Sequence, residues 1–443
     1  MATGVLWRIA VRNLRQGGRR SALLGVAITL VTTLLVLLGA LSSGLENTMI
    51  RAASTLMSGH VNVGGFFKIT HTQAAPVITQ RDKIRAIVEA EVEGLDLVID
   101  RLRGWGKIVS DTGSFMASLS GVDIAEERRL LEVLQVVPSP QGRPAGDLKK
   151  LAEPNTVVIF ESQAERLEVG VGDTLTLSAE TLGGARNTVD LRVVAVVRDV
   201  GFLSAFNLFM PKQVIRDLYQ LKADATGAVQ IYLDDPARAS AVMEALRPKL
   251  VAAGFELMDH DPQAFFMKFE RVSGEDWKGQ KLDLTTWRDE VSFLTWVLTG
   301  FATLRVLLLG GLMVIVVVGI MNTMWMSVRE RTREVGTLRA IGMGRRGILT
   351  MFVLEGVALG LFASVAGAAL GAGLAWGIDA WGLRVPMEAF QMILMSDRLH
   401  LKAGVGDAVG AVDVITVITT LAVLYPAWRA ARLRPVNAMH HVG

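Results

Sequence analysis

Cysteine is absent from this chain of 443 residues. Without a thiol, the chain holds no zinc–thiolate site, iron–sulfur cluster, disulfide or cysteine nucleophile. Any folded region outside a membrane must therefore be stabilised by its core alone. Histidine is also scarce, with six residues, and none of them stands in H-E-x-x-H or an equivalent ligand spacing. We therefore expect no metal site.

Motifs for nucleotide hydrolysis and for nucleophilic catalysis are missing as well. The chain has no G-x-x-x-x-G-K-[ST] loop, so it is not expected to bind and split a nucleotide by itself. Asp111-Thr-Gly113 has the form of an aspartic-protease triplet, but that chemistry needs two such carboxylates and no second copy is present. We predict a hairpin turn there. Ser114 and Ser120 lie in no nucleophile-elbow motif. We expect no catalytic residue and no cofactor in this chain.

Apolar residues, in contrast, make up 51% of the sequence and are concentrated in four runs. Each run is long enough to cross a bilayer core of ~30 Å as a helix. We predict spans at residues 21–45, 290–328, 348–378 and 408–428, the second beginning as a helical extension outside the membrane. The first run exceeds the apolar core of a signal peptide, so we interpret it as an anchor.

Basic residues indicate the orientation of these spans. Residues 1–20 carry five arginines and no acid, residues 329–347 six arginines against two glutamates, and residues 429–443 three arginines and no acid. All three segments are therefore predicted to be cytoplasmic, and the more acidic loop 379–407 to lie outside. The net charge of +3 reflects this orientation, so we predict no nucleic-acid partner. Residues 4–16 are predicted either to form an amphipathic helix on the inner membrane surface or to act only as a basic anchor.

Between the first two spans, residues 46–289 are predicted to form a large external α+β domain. Short alternating strands and short helices follow one another, and Gly183-Gly184 lies between two strands as a hairpin tip. The domain is expected to have mixed topology and two lobes, with residues 138–154 as the loosest connector. From residue 291 apolar residues recur at helical spacing, which predicts an extended helix that joins this domain rigidly to the second span.

Within the spans, glycine pairs and two acids stand out. Three G-x-x-x-G pairs in the third span predict close helix packing: Gly356 with Gly360, Gly367 with Gly371, and Gly373 with Gly377. Glu355 lies near the inner end of the third span and Asp413 near the outer end of the fourth. A carboxylate in a span is a functional candidate, but so close to the membrane surface each is equally able to cap or pair locally.

The segment 329–347 is predicted to be a short helix that binds a partner. Val335, Leu338 and Ile341 recur at steps of three, with Glu330, Arg331, Glu334 and Arg339 around them. Apolar anchors with a charged rim are typical of a helix that docks into a groove. Gly342 and Gly344 are expected to end the helix.

This segment resembles the signature loop of the FtsX/MacB/LolE-type (type VII) permeases of ABC transporters. Their pattern is E-R-x-R-E-hydrophobic-G-x-L-R-A-hydrophobic-G. The matching positions are Glu330, Arg331, Arg333, Glu334, Val335, Gly336, Leu338, Arg339, Ala340, Ile341 and Gly342. Residues 426–435 resemble the ending of the family and residues 7–14 its entry helix. In the external domain, residues 58–63, 121–126 and 167–173 resemble the lipoprotein-releasing branch in particular.

The resemblance implies a mechanism and partners. Because no ATPase domain precedes the first span, it implies separate ABC ATPase subunits, which would hold ATP and Mg. It also implies a dimer with a second copy or a paralogue in a bacterial inner membrane, both termini being cytoplasmic and the large domain periplasmic. The expected work is mechanotransmission that releases lipoproteins, with lipid, a lipoprotein or a chaperone as further partners. The alternatives are efflux of a drug or peptide with a periplasmic adaptor, and regulation of a cell-wall hydrolase without transport.

Overall fold

The computed structural model describes residues 12, 18–70, 74–140, 142–181, 183–385, 396 and 398–432. Apart from Arg12, the predicted helix at residues 4–16 lies outside the described residues, as do residues 433–443 of the predicted tail. The chain divides into a helical unit and an α+β unit. The helical unit comprises Met1–Glu46, Leu298–Val385 and Arg398–Gly443, and the α+β unit is built on Asn47–Val297.

The described helices and strands follow in chain order. The helices are α1 Gly18–Ala53, α2 Arg81–Glu91, α3 Arg128–Val133, α4 Glu161–Leu167, α5 Lys212–Tyr219, α6 Ala239–Ala252, α7 Phe269–Gly274, α8 Trp287–Glu290, α9 Thr295–Glu330, α10 Thr332–Ala340, α11 Arg345–Trp381 and α12 Val405–Ala431. The strands are β1 Val61–Lys68, β2 Ala74–Ala75, β3 Leu95–Val109, β4 Ser114–Val122, β5 Thr156–Phe160, β6 Thr174–Glu180, β7 Arg186–Val197, β8 Asn207–Pro211, β9 Ala228–Leu233 and β10 Gly279–Thr286.

In the part of the chain that the structure describes, four helices are long and apolar enough to cross a membrane. They are Ser21–Ser58, Ala302–Glu330, Arg345–Trp381 and Val405–Ala431. Between the first two of these helices, the described residues form a sheet with helices packed on it. The predicted fold class, four membrane helices with an inserted α+β domain, is therefore confirmed.

Helix α11 packs closely against both α12 and α1, and glycine makes this approach possible. A Cβ at Gly356 would lie 2.5 Å from the side chain of Val423 on α12. A Cβ at Gly367, three turns further, would lie 2.5 Å from the carbonyl oxygen of Thr29 on α1. Two of the predicted glycine pairs therefore serve helix packing within this chain. Around Gly373 and Gly377, in contrast, no described atom lies within 4 Å of such a Cβ.

Alanine substitution should separate the packed glycines from the open ones. Gly367→Ala places a methyl group against the backbone of α1 and should lower the free energy of unfolding by about 2 kcal/mol. Gly377→Ala, on the same helix and in open space, should change it by less than about 0.5 kcal/mol. Unfolding of the full chain in detergent measures both. Equal stability of the two variants would contradict the observed α1–α11 contact.

The first lobe of the α+β unit is a sheet in the order β10-β1-β9-β3, with the two-residue strand β2 paired to the end of β1, and α2 and α6 cover one face. Alternate residues of these strands point into the core, including Val61, Val63, Ile231 and Leu284. Helix α6 contributes Val242, Leu246 and Leu250, which recur at helical spacing.

The second lobe is a closed sheet in the order β3-β4-β8-β5-β7-β6, in which β6 pairs with β3 again. Its core includes residues of α4 and α5. The predicted turns at Asp111-Thr-Gly113 and at Gly183-Gly184 are confirmed, since β3 pairs with β4 and β6 with β7 as hairpins across them. Two lobes with separate cores are present, but the predicted connector is wrong. Strand β3 runs from one lobe into the other, whereas the described part of residues 138–154 belongs to the second lobe, where Leu148 and Leu151 are buried and Asp147 N donates to the carbonyl oxygen of Val194 in β7.

Strand β3 is a single strand of 15 residues that takes part in both lobes. Its first half pairs with β9 in the first lobe and its second half with β4 in the second. Gly104 and Gly106 interrupt the strand-forming pattern in the sequence. The tertiary structure requires the first of them, because a Cβ at Gly104 would lie 2.7 Å from the ring of Tyr219.

The stretch before the second span also differs from prediction. Strand β10 was not predicted, and its Leu282 and Leu284 alternate into the core. Helix α9 then begins at Thr295 rather than near residue 290, after the capping box of Thr286 and Asp289. The predicted helical extension before the second span is present, as a 3₁₀ turn at Ser292–Leu294 that leads directly into α9, and its rigidity stays a prediction.

The long loop 379–407 is partly built into the helical unit. Lys402 N donates to the carbonyl oxygen of Ala40 at 3.1 Å, and Leu401 packs between Ala40 and Ala375. Part of this loop thus covers α1 and α11. Residues 386–395 and 397 of the loop lie outside the described residues.

Candidate functional site

The segment between α9 and α11 forms a short helix with defined ends. Arg331 interrupts the helical ladder after α9 with φ −100° and ψ 15°, and α10 begins at Thr332. At the other end, Met343 N donates to the carbonyl oxygen of Leu338 at 2.9 Å, and Gly342 has φ +103°. That backbone conformation favours glycine, so the predicted role of Gly342 in ending the helix is confirmed. Gly344 directly precedes α11.

One face of α10 packs onto the membrane helices of its own chain. Val335 is only 1% exposed and belongs to a cluster with residues of α1, α9, α11 and α12. Leu338 packs against the same cluster. Arg339 donates from Nη1 to the carbonyl oxygen of Ala431, 3.4 Å away at the end of α12. Helix α10 is therefore attached to the bundle by apolar contacts along one side.

A guanidinium–carboxylate pair adds to this attachment. Nη1 of Arg331 lies 3.2 Å from Oε2 of Glu355 on α11, and the two side chains are 16% and 8% exposed. Glu355 therefore pairs locally, which is one of the two roles that its position allowed. Asp413 is exposed and lies about 27 Å along α12 from Ala431, so the structure does not bring it to this site.

The opposite side of α10 is exposed. Ile341, which directly follows the helix, is 79% exposed. We define the exposed face of α10 by residues that recur every three or four positions, namely Arg333, Glu334, Thr337, Ala340 and Ile341. Glu330, at the end of α9, is exposed too.

The predicted docking stripe of Val335, Leu338 and Ile341 is therefore wrong as a single surface. Two of its three residues are covered by the chain's own helices, and only Ile341 remains exposed. Apolar spacing identifies a face that is buried but does not tell which molecule buries it. The role of this segment in binding a partner stays a prediction.

Sequence reasoning did not predict the contacts that join the C-terminal end of α9 to the C-terminal end of α12. The guanidinium of Arg429 lies 4.5 Å from the ring centroid of Trp325, whose ring also contacts that of Tyr425. The sequence places aromatic and basic residues together at the arginine-rich ends of two spans. This pattern could have predicted the contact, because a cation is attracted to the face of an aromatic ring.

Comparisons with known proteins agree with this architecture. The family model described as FtsX-like permease C-terminal matches residues 306–435, and the MacB-like periplasmic core domain matches residues 21–249, more than half of the chain. A lipoprotein-releasing system transmembrane protein LolC of Xylella fastidiosa is 26% identical over 122 residues, which are 26% of this chain and 29% of that protein. A macrolide export ATP-binding/permease protein MacB of Hyphomonas neptunium is 35% identical over 143 residues, 32% of this chain and 19% of that protein.

The chain thus spans less than a third of the length of these curated relatives. Among solved structures, the extracellular domain of the transporter YknZ from Gram-positive bacteria is 16% identical, with a TM-score of 0.29. That match covers 44% of this chain and 95% of the other. With four membrane-spanning helices, an extracytoplasmic α+β domain and both family models in place, the chain belongs to the FtsX/MacB/LolC family of type VII ABC transporter permeases.

Proposed function

We propose that this chain is the permease subunit through which separate ABC ATPase subunits drive movement of the extracytoplasmic domain. The observation that carries the proposal is the two-sided environment of α10. Val335, Leu338 and the Arg331–Glu355 pair attach it to the membrane helices, while its exposed face is available to a partner. A helix held on one side and exposed on the other transmits a push on that face to the helices behind it.

In this proposal α10 faces the cytoplasm of a bacterium and the chain crosses its inner membrane, with both termini inside. The excess of arginine in residues 329–347 and 429–443 supports this orientation. ATP and Mg belong to the partner ATPase, because the sequence of this chain contains no phosphate-binding loop. The functional unit is a dimer of this chain with a second copy or with a paralogue.

For the work performed, we propose release of lipoproteins from the membrane. Similarity to a LolC protein supports this assignment, as do the segments of the outer domain that resemble the lipoprotein-releasing branch. Efflux of a drug or peptide with a periplasmic adaptor is the second candidate, and the higher identity to a MacB protein favours it. Regulation of a cell-wall hydrolase without transport is the third.

Crosslinking in native membranes, followed by purification of the tagged chain and mass spectrometry, tests the proposal. We expect an ABC ATPase in stoichiometric amount together with lipoproteins or their chaperone. An ATPase with an adaptor would assign the complex to efflux, and one with a peptidoglycan hydrolase would assign it to regulation. Absence of any ATPase would contradict the permease mechanism itself.

A further inference from the structure

The end of α1 inside the α+β unit has an unusual form. A single π-helical turn, Ser54–Ser58, follows α1, and π turns are rare and concentrate at functional sites. Side chains from the neighbouring sheet bind its carbonyl groups. The carbonyl oxygen of Met57 accepts hydrogen bonds from Arg103 Nη2 at 2.9 Å and from Gln230 Nε2 at 2.6 Å. That of Ser54 accepts one from Tyr232 OH at 3.0 Å.

The hydrogen bonds continue from this turn across the sheet. Arg103 Nη2 also donates to Asn62 Oδ1 at 2.8 Å, and Asn62 Nδ2 donates to Thr285 Oγ1 at 3.1 Å. Thr285 Oγ1 in turn donates to Glu290 Oε1 at 2.7 Å. Glu290 ends α8, directly before the turn that leads into α9. All four side chains in this path are buried.

We call Met57, Arg103, Asn62, Thr285 and Glu290 the root network, because its two ends lie where α1 ends and where α9 is about to begin. Its two charged side chains, Arg103 and Glu290, interact: burial raises the pKa of Glu290, and the positive charge of Arg103 offsets only part of that rise. Breaking one hydrogen bond leaves other buried polar groups without a partner. The hydrogen bonds of such a network therefore tend to form and break cooperatively.

We propose that the root network is a positioning device that joins the root of the first membrane helix to the root of the second, so that the two move together. The functional meaning of this linkage rests on the proposed function, because force would reach the outer domain through these two helices. Arg103, Asn62 and Thr285 are then positioning residues for coupling. An ordinary set of buried polar groups would stabilise the lobe without linking its two ends.

Hydrogen exchange on the full chain in nanodiscs, without any ATPase, tests the linkage. Thr285→Val keeps the shape of the side chain and removes the middle hydroxyl. We expect amides of residues 54–60 to exchange about tenfold faster, because buried hydrogen bonds of the network are lost. The matched control is Thr156→Val, a buried strand threonine of the second lobe whose hydroxyl donates to the carbonyl oxygen of Glu153 at 2.8 Å. It should leave residues 54–60 unchanged.

A second variant approaches the network from the other end. Gln230→Leu removes one donor to Met57 and also a buried Oε1 that has no hydrogen-bond partner among the described residues, so the lobe should still fold. It should speed exchange at residues 287–291, across the sheet. Faster exchange only beside each substitution would overturn the proposal. Because no ATPase takes part, failure of the chain to bind an ATPase would contradict the proposed function and leave this result standing.

Discussion

Replacing Ile341 with aspartate should strongly weaken binding of the partner ATPase. Ile341 is the most apolar side chain on the exposed face of α10 and is 79% exposed in this chain. An apolar residue at the centre of an interface typically dominates its binding energy, and a buried unpaired carboxylate there is strongly unfavourable. We expect the affinity to fall by about 100-fold. Titration of the purified ATPase against the full chain in nanodiscs measures this.

The control must separate loss of docking from loss of folding. Val251→Asp replaces a similarly exposed branched side chain on α6, in the extracytoplasmic domain, and should leave the affinity unchanged. Ile341→Asp itself should unfold at the same temperature as the parent chain. Leu338→Asp is a poor test, because Leu338 is partly buried against the bundle and an aspartate there would destabilise the chain itself. Undiminished ATPase binding by Ile341→Asp would remove the exposed face of α10 from the docking site.

Removing the carboxylate of Glu355 should have the largest effect on stability. Glu355→Ala takes away the acidic partner that lies 3.2 Å from Arg331, in a pair with little exposure. Breaking a buried pair from one side costs about 3 kcal/mol or more, because the remaining charge stays poorly solvated. Helix α10 should then lose its fixed attachment to α11, and ATP hydrolysis should drive less movement of the outer domain. Denaturant unfolding in detergent measures the first effect.

Two further variants test whether loss of the Arg331–Glu355 pair causes the loss of stability. Glu334→Ala removes a carboxylate from the exposed face of α10 and should cost less than about 0.5 kcal/mol. Exchanging the charges, with Arg331→Glu and Glu355→Arg together, should recover part of the stability lost by either single change. If the exchange recovers nothing, the pair does not make the attachment that we assign to it.

Much of the architecture follows from local pattern. The four spans could be predicted because long uncharged runs have few alternatives to a membrane helix. The short helix between the second and third spans ends where Gly342 allows a positive φ, which is a local requirement. Helix α6 and the two hairpin turns likewise follow from spacing and turn chemistry. Strand β10 could not be predicted with the same certainty, because Leu282 and Leu284 are its only pair of alternating large apolar residues and a pattern this short does not distinguish strand from helix.

Contacts between distant parts of the chain could not be predicted in the same way. Nothing local indicates that Gly367 meets α1 while Gly377 meets no described atom, since both stand in the same motif on one helix. The root network joins residues more than 200 positions apart, such as Asn62 and Thr285, and each of them alone looks like an ordinary polar strand residue. Pairing of this kind depends on sheet register, which the sequence pattern does not specify.

The sequence by itself determined that this chain crosses a membrane four times, carries an α+β domain between the first two spans, and presents a short charged helix between the second and third. These properties depend on hydropathy, charge and backbone conformation, which act over a few turns. Only the tertiary structure decided which side of α10 is open. Val335 and Leu338 turn towards the bundle, and the Arg331–Glu355 pair fixes that rotation. Helical spacing places residues on a common face, but the direction of that face depends on what packs behind it.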